Sequence, residues 1–217
     1  PKELKDDVAE RLNATAKELL GIEDTLFTTE TKLYPGSEIT YYLDETIMCI
    51  TWKELVGGSV YTMSEVKIAH PSQFRRFLAD GVYGSDKQYT TTQMATTVNA
   101  VTASSGDFYK FRPYGIKVYD GQVMHVNSVV DTLFIDDQGD FHFAYRWEIT
   151  DHATAQKFVD DNNIRFSVAF GPVLVQNGEL ISIPMDYTLG GYAASIERFS
   201  ILGSGDTGTL TNYRIRK

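Results

Sequence analysis

The residues of this chain best suited to chemistry are Ser105-Gly106-Asp107-Phe108-Tyr109, followed by Phe111 and Arg112. Gly106 lets the backbone come close to a ligand. Asp107 is suited to act as an acid, a base or a hydrogen-bond acceptor. Phe108 and Tyr109 offer flat rings for stacking on a sugar. Arg112 carries a guanidinium that grips phosphate through paired N–H donors. The same run also suits a tight turn at a strand end with aromatics entering the core, because Gly-Asp is ordinary turn chemistry. The functional reading requires this turn to open toward solvent with the carboxylate of Asp107 accessible.

Other motifs carry less. Gly203-Ser-Gly-Asp-Thr-Gly208 matches a dinucleotide-binding loop in letters. No helical pattern follows it to face a pyrophosphate, so it reads as a flexible Gly/Ser loop. Ser64-Glu-Val-Lys67 matches the nucleophile motif of serine β-lactamases without its Lys-Thr-Gly partner. Its alternation reads as a strand, which puts Ser64 and Lys67 on opposite faces. The histidines, His70, His125, His142 and His152, include no pair spaced by four, and no metal site is expected from them. Asp136, Asp137 and Asp140 crowd one turn, where Ca²⁺ is the alternative to a solvated acidic turn; the spacing of a helix-loop-helix calcium site is absent. Cys49 lies in an apolar run and reads as a buried strand thiol.

Composition narrows the classes. The chain has 217 residues, with 29 acidic and 20 basic side chains and a formal charge of −9. Such a balance disfavours nucleic-acid phosphate and anionic membrane surfaces, both of which need clustered Lys and Arg. Apolar residues at 42% and charged ones at 23% fit a folded domain rather than a disordered tail. No run approaches the roughly 18–20 apolar residues of a membrane span.

The elements that must position these residues are mainly strands. Leu4, Val8, Leu12, Ala16, Leu19 and Leu20 recur at helical spacing and predict an N-terminal helix stopped by Gly21. Residues 1–37 are therefore read as a helix and linker. Strands are expected at 38–43, 46–52 and 60–69, and a short helix from His70-Pro71 to Gly81 with Phe74, Phe77 and Leu78 as its apolar stripe. A strand is expected at Ala100–Ala103. The Thr-rich stretch 90–100 fits a helix, or a strand from Val98. Three hairpins follow, turning at Asp120-Gly121, Asp137-Gln138-Gly139 and Asn177-Gly178, with a helix capped by Thr150 or Asp151 between the second and third. The sum is an α+β fold: a mixed, largely antiparallel sheet with several hairpins and a few flanking helices.

Four segments in order resemble the phosphodiester glycosidase family, which includes the N-acetylglucosamine-1-phosphodiester α-N-acetylglucosaminidases and bacterial exopolysaccharide-related proteins. They are Val66-Lys-Ile-Ala-His-Pro-Ser-Gln73, Val98 to Tyr109, Gly115-Ile-Lys-Val-Tyr-Asp-Gly121 and Ala169 to Gly178. The resemblance covers roughly residues 38–185. Ser105 stands where the family more often has Asn. The family's later Arg-Thr, Asp-Gly-Arg and Asp-Gly-Gly segments do not occur, so residues 38–217 resemble the N-terminal part of such a domain without its C-terminal segments.

The resemblance implies hydrolysis of a sugar-1-phosphodiester at the anomeric C–O bond, a reaction that commonly uses carboxyl groups across an oxocarbenium-like transition state. It implies Asp107 as one such group or as an anchor for a sugar hydroxyl, with His70 assisting. Gly106, Phe108, Tyr109 and Arg112 would bind substrate, and Gly171 and Pro172 would shape the pocket through their backbone. No required cofactor is implied. Expected partners are a carbohydrate or sugar-phosphodiester substrate and a C-terminal part of the same domain as a separate chain. The implied location is extracellular or at the bacterial cell surface, with membrane contact only through an N-terminal anchor outside this chain. The alternative is a non-catalytic carbohydrate-binding or cell-surface module.

Overall fold

The structure is a computed structural model that describes residues 2–3, 14, 32–33, 40–43, 46–56, 58–107, 113–169, 171–182 and 187. The expected N-terminal helix lies outside these residues except for Ala14, which is helical and exposed. The Gly203–Gly208 loop, Phe108, Tyr109 and Arg112 also lie outside them. The chain divides into two compact units, one of Pro1–Phe74 with Thr91–Ala103 and one of Arg75–Thr90 with Ser104–Lys217. The architecture is α+β with antiparallel sheets and hairpins.

The first unit is a sheet of β1 (Lys2–Glu3), β2 (Lys32–Leu33), β3 (Thr40–Leu43), β4 (Ile47–Val56) and β5 (Ser59–Ile68), all antiparallel. β4 and β5 pair along their full lengths, from Ile47 opposite Ile68 to Val56 opposite Ser59. Met48, Cys49, Ile50 and Trp52 are buried, so Cys49 is the buried thiol its neighbours predict. Ser64 takes a cross-strand place, its hydroxyl 2.9 Å from that of Thr51. The Thr-rich stretch resolves as helix α1 (Thr91–Thr97). The strand expected at Ala100–Ala103 does not form; those residues are irregular and exposed.

The helix expected from Pro71 to Gly81 is instead two 3₁₀ turns, Pro71–Gln73 and Ala79–Gly81. Phe74 leaves the first turn in extended backbone and is exposed, and Asp80 sits at φ 55°. The apolar stripe thus does not act as one face. Leu78 alone of the three is buried.

The second unit holds a five-stranded antiparallel sheet in the order β7-β6-β10-β8-β9. Its strands are β6 (Gly115–Tyr119), β7 (Gln122–Asn127), β8 (Thr132–Asp136), β9 (Phe141–Ala144) and β10 (Ile164–Val168). Two of the three expected hairpins build it: β6–β7 turns at Asp120 and Gly121, both at positive φ, and β8–β9 turns through Gly139. The third, β11 (Val175–Gln176) with β12 (Glu179–Leu180), is a separate two-stranded ribbon. Sequence reading missed β10, the central strand. It has no hairpin partner and it is largely buried, so it shows neither a turn signal nor clean alternation.

Helix α2 (His152–Asp161) covers one sheet face. Asp151 caps it, accepting the Thr154 N–H at 2.9 Å. Ala155 and Val159 pack with Ile116, Val118, Val123, Phe134, Ala144, Ile149 and Ile164 into the core. Period-two alternation then sends Lys117, between Ile116 and Val118, away from that core.

Gly115 is required where β6 begins. It sits at φ +80°, and a Cβ there would fall 2.1 Å from the Cβ of Ala169. Gly115→Ala is expected to lose roughly 2–5 kcal/mol through combined backbone strain and overpacking. Urea denaturation checks this; a loss within about 0.5 kcal/mol, the range of an ordinary surface change, contradicts it.

Candidate functional site

The turn at residue 107 delivers its carboxylate to the interior of the second unit. The Asp107 side chain is 1% exposed, although Gly106 before it is exposed. This corrects the expectation that the acid opens toward solvent. The cause is its partners. Arg76 Nη2 donates to Oδ1 at 2.6 Å, Lys117 Nζ donates to Oδ2 at 2.6 Å, and the Ala169 N–H donates to Oδ2 at 3.1 Å. Each carboxylate oxygen therefore meets a cation. Arg76 also donates through Nη1 to the Ser167 carbonyl.

Four separate segments make this cluster. Extended backbone between the two 3₁₀ turns carries Arg76, β6 supplies Lys117, β10 and its end supply Ser167 and Ala169, and the irregular stretch after α1 supplies Asp107. Ser167 secures the sheet beneath: its hydroxyl donates to the Ile116 carbonyl at 2.6 Å and accepts the Val118 N–H at 2.8 Å. Lys117 is 1% exposed, and burial pushes its ammonium below the usual lysine range. Asp107 opposes that shift, while Arg76 adds to it. Two cations thus share one carboxylate. Arg76, with a side chain 13% exposed, is the member that reaches solvent. Arg76 and Lys117 escaped sequence reading. An Arg in a Phe-Arg-Arg-Phe run and a Lys in an alternating strand look like solvated surface charges.

The other expected site residues lie as follows. His70 belongs to the first unit, and its Nδ1 accepts the Ser72 N–H at 3.2 Å as part of a capping box on the first 3₁₀ turn. Gly171 is half-buried and Pro172 buried. They lead into Val173, whose N–H donates to Asp131 Oδ2 at 2.8 Å. Asp131, 5% exposed, also accepts the Arg146 N–H at 2.8 Å, and its own N–H donates to the Tyr187 hydroxyl at 2.6 Å. This buried acid ties the Gly171–Pro172 segment to the loop after β9. Burial raises the Tyr187 pKa, keeping its hydroxyl neutral.

Asp136 is also a buried acid rather than part of a solvated turn. It is 8% exposed, accepts the Gln138 and Asp140 N–H groups at 2.9 and 2.8 Å, and accepts His142 Nε2–H at 2.8 Å. No cluster of three metal-ligating side chains occurs among the described residues. Burial works to raise the Asp136 pKa, but these hydrogen bonds outweigh it and hold the carboxyl below its usual range. A depressed carboxyl pKa stabilises the fold above the unfolded value of about 4, and that contribution is lost as pH falls through the folded value.

A search of protein-family models finds no match to this chain, and neither a curated protein nor a solved structure matches it.

Two measurements check this geometry. Asp107→Asn takes the shared carboxylate away from Arg76 and Lys117 and is expected to cost about 3–5 kcal/mol. Adding Lys117→Met should return part of that loss, since one orphaned cation goes with it; strictly additive losses in a double-mutant cycle would contradict the pairing. For Asp136, the stability gap between wild type and Asp136→Asn should persist above about pH 4 and close as the medium becomes more acidic. A gap independent of pH would show that the charge of Asp136 contributes nothing.

Proposed function

We propose that this chain acts on sugar-1-phosphodiesters of the N-acetylglucosamine-1-phosphodiester type in bacterial cell-envelope or exported polysaccharide metabolism, as a hydrolase of the glycosidic bond whose reacting carboxyl is a group other than the sealed Asp107. The ordered resemblance of four segments supports the reaction class. The observation that carries the reading is the pair of cations, Arg76 and Lys117, gathered on Asp107, with the Arg76 guanidinium reaching solvent. A cation pair in a poorly solvated setting attracts an anion far more strongly than the same pair in water. Arg76 is the member of the cluster that reaches solvent, and a guanidinium suits a phosphodiester.

Asp107 takes a different part from the one first expected. Its oxygens already accept three donors. In this reading it is a positioning residue: with buried Lys117 it fixes Arg76, and Arg76 meets the phosphate. His70, engaged in a local cap, has no role in this scheme.

A second reading has its own support. With both oxygens of Asp107 engaged, the described cluster binds an anion without offering a free carboxylate for bond cleavage. That favours a module that recognises a phosphorylated sugar and leaves it intact.

The methyl phosphodiester of α-N-acetylglucosamine-1-phosphate separates the two readings. Release of free sugar by the full chain, reduced at least tenfold by Arg76→Lys with little change in melting temperature, supports the hydrolase. Calorimetric binding without release, weakened by the same substitution, supports the binding module. Neither binding nor release overturns both.

A further inference from the structure

Within the second unit a cleft lies along β9, an outer strand of the five-stranded sheet among the described residues. It encloses about 250 Å³ and is lined by Phe141, His142 and Phe143 of β9, Phe158 of α2, and the β11–β12 ribbon with Gln176 and Asn177 at its tip. That volume falls below the roughly 300–1,000 Å³ of sites for drug-sized ligands. It suits one six-membered ring. The aromatic wall is braced from behind, with the Phe158 ring 5.0 Å from that of buried Phe134. The ribbon is held at the other side by the Tyr145 hydroxyl, which donates to Gln176 Oε1 at 2.5 Å.

The polar groups around this cleft are separated and specific. Asp136 accepts the Nε2–H of His142 and fixes the orientation of that ring at the cleft. Gln176 has its oxygen engaged and its amide N–H groups left as donors. Asn177, exposed at the turn with φ 51°, supplies an amide with both functions. A fixed imidazole, an amide donor group and a mixed amide beside apolar rings match a pyranose, whose axial C–H face stacks on an aromatic while its equatorial hydroxyls exchange hydrogen bonds. The neighbouring acidic turn with Asp137 and Asp140 disfavours an anionic ligand.

We infer that this cleft between β9 and the β11–β12 ribbon is a binding subsite for one neutral pyranose ring of an oligosaccharide. The ligand class rests on the carbohydrate reading above, while the location rests on the cleft itself. The subsite would hold a sugar of the glycan chain, apart from any phosphodiester bound at Arg76.

The test titrates the full, isotopically labelled chain with tri-N-acetylchitotriose and with cellotriose and follows backbone amide shifts. The expected result is saturable shifts centred on residues 141–143 and 176–177 with at least one of the two. Asn177→Gly keeps the positive-φ turn and removes the amide, and Phe143→Ala removes a ring; each should weaken binding roughly tenfold or more, the order of one lost contact of about 1.4 kcal/mol. Shifts confined to residues around Asp107 would overturn the subsite while leaving the carbohydrate reading intact. Cleft shifts unchanged in strength by Asn177→Gly would also overturn it, and so would an absence of shifts with both saccharides. The phosphodiester assay on Arg76 variants is a separate measurement, so the two proposals can fail independently.

Discussion

The second unit is organised around a charge it cannot leave alone. A carboxylate taken out of water costs several kcal/mol unless cations and hydrogen bonds replace its hydration. Asp107 obtains that replacement from Arg76, Lys117 and the Ala169 N–H. Satisfying it draws together residues spread from position 76 to position 169, and it fixes what each segment can be. The chain around Arg76 is extended rather than helical, so its guanidinium reaches both Asp107 and the Ser167 carbonyl. Lys117 lies on the sheet face away from α2, where an ammonium has its counter-charge.

Two further buried acids repeat the device on a smaller scale. Asp131 joins the segment after Pro172 to the loop after β9, and Asp136 closes the β8–β9 turn while orienting His142. All three accept backbone N–H groups that a loop would otherwise bury unsatisfied. Irregular segments thereby keep defined shapes without regular secondary structure. Such segments are also where binding groups sit on a rigid scaffold. The Arg76 guanidinium and the Gln176–Asn177 tip are both held this way, one by a carboxylate and one by a tyrosine hydroxyl.

The functional reading changes once that charge is seen in place. Read along the chain, Asp107 looks like the reacting group and Arg112 like the phosphate contact. In space, Asp107 is sealed in the interior and holds two cations, Arg76 and Lys117.

Local chemistry written in the sequence decided a good deal. The turns at Asp120-Gly121 and Asn177-Gly178 need positive φ, and those residue pairs adopt it cheaply. Asp151 caps α2, and Ala155 and Val159 face the core as their spacing requires. The buried thiol of Cys49 and the antiparallel α+β character follow from the same short-range rules. What only the tertiary structure decided is non-local. The placing of β10 at the sheet centre, the breaking of the 71–81 segment into two turns, and the partners of Asp107 all depend on contacts across tens of residues. A lone Arg, Lys or Asp looks the same in sequence whether it meets water or an opposite charge. Which of these it meets is set by the fold that surrounds it.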